Sequence, residues 1–144
     1  MSAQGRLTAE EISNRWPHIE RFLRLDCSTS SAEDDYPRFS RTEDRLDPAE
    51  RAASYVEWAD FYEWRLEQRA DELATDRVKR HLVAEWTESM AYSCRRSAAF
   101  ARGENPGEWV PLPVRRPDLD AEKRAIVADI VAHREPSDQL AMTG

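Results

Sequence analysis

From Ala49 to Arg102 the chain runs without a glycine or a proline. The stretch is rich in Ala, Glu, Arg and Leu, so nothing in it breaks a helix and most of it favours one. It opens with Tyr55, Trp58, Phe61, Tyr62 and Trp64 in quick succession. Helical periodicity sorts these rings onto two stripes. Tyr55, Ala59, Tyr62, Leu66, Ala70 and Leu73 form one, and Trp58, Phe61 and Trp64 form the other. A helix that is apolar on two sides needs more than one neighbour to cover it.

One continuous helix over residues 48–102 would be roughly 80 Å long, too long for a chain of 144 residues to wrap. The apolar phase also changes after Leu73. Val78, Leu82, Trp86, Met90 and Cys94 recur every fourth residue but lie off the earlier stripe. Thr75 and Asp76 are both good N-cap residues, so a break is expected there, and with it an antiparallel helical hairpin. Asp47-Pro48-Ala49-Glu50 marks the start of the first arm, with a cap acceptor followed by proline at the first helical position. Arg95, Arg96 and Arg102 suit the end of the second arm, and Gly103 stops it.

The flanks are shorter. Thr8-Ala9-Glu10-Glu11 spells a capping box. It opens a helix whose apolar face is Ile12, Trp16, Ile19, Phe22, Leu23 and Leu25, broken near Pro17. Residues 27–47 offer only Tyr36, Phe39 and Leu46 to bury and read as a loop or strap. Prolines recur through residues 104–117, which predicts an extended strap touching the core through Trp109, Val110, Leu112 and Val114. Asp118 or Asp120 is expected to cap a last helix with Ala125, Ile126, Ala128, Ile130 and Val131 as its stripe, ended by Glu135-Pro136. The expected fold is an all-α helical bundle in one domain over residues 1–144, built on the long antiparallel hairpin of residues 48–102. An N-terminal helix, a Pro-rich extended strap and a C-terminal helix flank it, and residues 1–7 and 137–144 form flexible tails.

Charge and cysteine content narrow the function. The net charge is −7 and both signs are spread along the chain, which disfavours a partner held mainly by attraction to phosphate or anionic lipid. Arginine dominates the cations, with Lys79 and Lys123 the only lysines. Two cysteines without a CxxC spacing suit reduced thiols. The start, MSAQGRLTAEE, lacks the apolar stretch of an export signal, and no run is apolar enough to span a membrane. A cytoplasmic location is expected.

Few residues suggest chemistry. His81 and Glu85 share a helix face, the minimum for two metal ligands, yet zinc or iron sites take three or four. A small metal-dependent helical enzyme is therefore only a weak alternative. No phosphate-cradling glycine loop or nucleophile elbow is present. Neither Cys94 nor Cys27 has the neighbours of a catalytic thiol, so no catalytic residue and no cofactor is assigned. Arg77, Lys79 and Arg80 make the densest basic cluster and support a second alternative, a helical nucleic-acid-associated regulator. The aromatics argue most strongly. Trp58, Phe61 and Trp64 on their own stripe, Trp109 on the strap, and Arg115 and Arg116 beside it are the residue types that anchor protein interfaces, and Arg77 and Arg80 would add to the polar rim. The expected function is a non-catalytic protein-binding subunit. It would serve as an accessory, assembly or scaffold component of a larger complex, or as a homo-oligomer.

Overall fold

The computed structural model describes residues 7–23 and 32–134, and among them every regular element is helical. Cys27, Leu25, Glu135, Pro136 and most of the two expected tails lie outside the described residues. The helices are α1 (Ala9–Arg15), α2 (Ala32–Ser40), α3 (Pro48–Gln68), α4 (Ala70–Leu73), α5 (Arg77–Ala101), α6 (Leu112–Arg115) and α7 (Pro117–Ala132).

The hairpin is the frame. Asp47 caps α3 by accepting the Glu50 N–H at 2.9 Å, with Pro48 in the first turn. The helix ends near Arg69, α4 makes one further turn that buries Leu73, and Asp76 caps α5 through the Lys79 N–H at 3.0 Å. The two arms run antiparallel, so that Arg51 and Tyr55 lie near Phe100 and Ala101 at one end, and Leu66 near Val83 at the other. Gly103 takes φ +77°, a left-handed conformation that lets the Glu104 N–H return to the Ala99 carbonyl at 2.9 Å and close the helix.

Both sides of α3 are covered from within the chain. The Thr8–Glu11 capping box opens α1 as expected, and α1 ends before Pro17. Trp16 at the end of α1 packs edge-on against Phe61 and Trp64 and donates its indole N–H to Asp60 at 2.7 Å. Glu57 then accepts the backbone N–H groups of His18 and Ile19 at 2.8 and 3.2 Å, which holds the bend after Pro17 against α3.

The expected loop over residues 27–47 is corrected: it contains α2 and a short 3₁₀ turn at Glu43–Arg45. Tyr36 and Phe39 of α2 pack on Tyr55, Trp58 and Tyr62 of α3. Pro37 lies inside α2, where it removes one backbone donor, so packing rather than local propensity holds this helix.

Two further corrections fall at the C-terminal side. The strap is not extended throughout, because α6 interrupts it. Neither Asp118 nor Asp120 caps α7. Pro117 occupies its first turn, and Arg116 sits at the cap position without a side-chain cap bond. A missing N–H and a fixed φ make Pro117 the natural first helical residue. Of the α7 apolar stripe, Ile126 is buried together with Leu119, while Ile130 and Val131 remain exposed.

Candidate interaction surface

The rings expected to face a partner lie in the core. Trp58, Phe61 and Trp64 are all nearly inaccessible. The two stripes on α3 are real, but α1 covers one side, and α2 with α5 covers the other. Residues 32–40, read as loop, supply part of the neighbour those stripes required.

Trp109 is different. It is 54% exposed and sits edge-on to Tyr92 of α5 with centroids 4.7 Å apart. Arg96 lies against Tyr92, Phe100 and Trp109, and donates to the Gly107 and Glu108 carbonyls at 2.9 and 3.3 Å. Arg115 stacks over Tyr92 at 3.7 Å, donates to the Val110 carbonyl at 2.7 Å and pairs with Glu88. Arg116 shares Glu88 at 3.1 Å and pairs with Asp118 at 2.8 Å. Hydrogen bonds from Arg116 hold the exposed Asp118 carboxyl down at about 2. These arginines therefore staple the strap and the start of α7 to α5.

The basic cluster is divided. Arg77 is ion-paired with Asp129 of α7. Lys79 and Arg80 line two different concavities, both bordered by Leu66 of α3. The structure does not gather the three into one basic strip.

His81 is buried between two carboxylates, with Nδ1 2.7 Å from Glu122 and Nε2 3.0 Å from Glu85. The carboxylates occupy opposite ring nitrogens, so no single ion can take the imidazole and both of them as ligands. No group of three or more metal-ligating side chains occurs among the described residues. The triad instead clamps α7 onto α5. Burial pushes the Cys94 thiol up to about 12, against weaker opposing effects from Tyr36 and Arg95. That is the condition of an inert cysteine.

A surface that sequence periodicity did not single out stands on the outer side of α5 and α7. These two helices run antiparallel, in a register fixed by Arg77–Asp129, His81–Glu122 and Lys123–Glu85. Glu85 and Lys123 meet on one side of the seam. Val78 and Leu82 stand seven and three residues before Glu85, and Val127, Ile130 and Val131 stand four, seven and eight after Lys123. Helical periodicity puts both sets on the same side of the seam. Leu82 is 60% exposed, Ile130 56%, and Val78, Val127 and Val131 between 43% and 53%.

Trp86, 43% exposed and edge-on to Tyr62 at 5.1 Å, ends this face. Beside it opens a groove of about 200 Å³ lined by Leu66, Val83 and Arg69 among others. The i, i+4 spacing of Val78, Leu82 and Trp86 was visible in the sequence, but it reads equally well as a core stripe. No known protein family, curated protein or solved structure matches this chain.

Proposed function

We propose that this chain is a non-catalytic protein-binding subunit, an accessory or assembly component that docks through the outer face of α5 and α7. The observation that carries it is the unburied apolar row of Val78, Leu82, Trp86, Val127, Ile130 and Val131, which α5 and α7 gather onto one side of their seam. Such a row leaves on the order of 500 Å² of side-chain surface in water, the upper range for the largest apolar patch of a monomer. Apolar helix faces with i, i+4 anchors are a common means of protein recognition. The titratable groups point the same way, since His81, Glu85, Glu88, Arg115 and Arg116 are engaged in holding elements together.

Reconstitution tests this. A complex recovered from the native source is rebuilt from purified components with wild type and with Leu82→Glu and Val127→Glu. Both sites are exposed, so the circular dichroism of the variants should match wild type. Affinity should drop by at least about tenfold, the usual cost of losing an interface anchor. Unchanged affinity with unchanged helicity would overturn the proposal.

A further inference from the structure

We infer that the occupant of the α5–α7 face is a second copy of this chain, in a two-fold symmetric dimer. The inference rests on the docking surface proposed above and names what fills it.

Charge is the first argument. The chain carries a net −7, yet both carboxylates of this face are paired, Glu85 with Lys123 at 3.9 Å and Asp120 with Arg124 at 3.2 Å, and Lys79 adds a cation beside Leu82 and Trp86. A strongly basic partner segment finds no free carboxylate there, whereas the Glu85–Lys123 pairs of two copies can meet each other's opposite charges across a two-fold axis.

Geometry is the second. α5 is packed by α3 on one side and by α7 on another, and its Val78–Leu82 side is open. A two-fold axis along the α5–α7 seam lays α5 of one copy on α7 of the other. Val78 and Leu82 then meet Val127 and Ile130 of the partner subunit, and Glu85 meets the partner's Lys123. The two layers become a four-helix arrangement enclosing what each leaves open.

Area is the third. Two copies would bury about twice the exposed patch, on the order of 1,000 Å², the lower bound of a specific interface. A weak, concentration-dependent dimer is what that area supports.

Sedimentation velocity on the full chain from about 1 to about 500 µM, a range that brackets weak association, decides the matter. The mass should rise from 16.7 kDa toward twice that value. Leu82→Glu and Ile130→Glu should each weaken the dimer at least about tenfold, with helicity unchanged. Phe100→Glu, exposed at the far end of α5, should leave it intact. A wild type that stays monomeric throughout, or a Leu82→Glu chain that dimerises as well as wild type, overturns the inference. A monomeric wild type that binds a reconstituted foreign partner, and loses it on Leu82→Glu, sinks the dimer while leaving the docking surface standing.

Discussion

Trp58 is completely buried and touches four other rings, those of Tyr36, Phe39, Phe61 and Tyr62. Its indole N–H has no hydrogen-bond acceptor among the described residues, so the side chain is held by packing alone. Trp58→Ser should cost about 3–5 kcal/mol, the range for emptying an aromatic site in a core, and should lower helicity along with stability. Trp58→Phe keeps most of the ring contacts and loses no hydrogen bond, so it should cost clearly less. Urea denaturation followed by circular dichroism measures both. Full stability in the serine variant would mean that the ring is not part of the core. Residue spacing revealed that α3 has two apolar sides, because phase is local. It did not reveal what covers them, because that depends on Trp16, Tyr36 and Phe39 arriving from distant sequence.

At the scale of elements, the legible boundaries were those written in cap chemistry. Thr8 with Glu11, Asp47 with Pro48, Asp76, and Gly103 each act within four residues, and each stands where its chemistry places it. α2 escaped notice because Pro37 and a run of acids argue against a helix, and only docking against α3 makes one. α7 is the converse, a clear helix from sequence that is weakly attached. It buries only Leu119 and Ile126, and otherwise depends on polar contacts centred on His81. Ile126→Ala should therefore destabilise α7 by about 2–4 kcal/mol without loosening the α3–α5 pair. His81→Ala, which removes the donor shared by Glu122 and Glu85 and leaves Glu85 only its longer contact with Lys123, should act in the same direction. Hydrogen exchange read helix by helix checks this: amides of α7 should exchange faster while those of α3 stay protected. Equal acceleration in both would show that α7 unfolds only with the whole molecule.

Across the whole molecule, apolar surface is distributed unevenly. α1, α2 and α3 enclose their rings, Phe100 and Trp109 stand exposed at the far end of α5 and on the strap, and α7 with the first half of α5 leaves an apolar face open. The sequence placed the uncovered surface on the α3 rings, and α1 and α2 cover these; the open face on α5 and α7 was not legible, since it depends on which stripe the distant helices reach. The consequence appears in salt dependence. Two copies, each of net charge −7, repel one another at long range, while the face that joins them is mainly apolar and has its carboxylates paired. Salt screens the repulsion and leaves apolar contact unharmed. Dimerisation should therefore strengthen, by severalfold, as sodium chloride rises from about 20 to about 300 mM, over which the screening length falls several-fold. An interface built on Arg77, Lys79 and Arg80, whether to nucleic acid or to an acidic protein, weakens over the same interval because its attraction is ionic. Light scattering across the titration separates the two by sign alone, and an association that weakens with salt would move the binding surface from the α5–α7 face to the basic cluster at the start of α5.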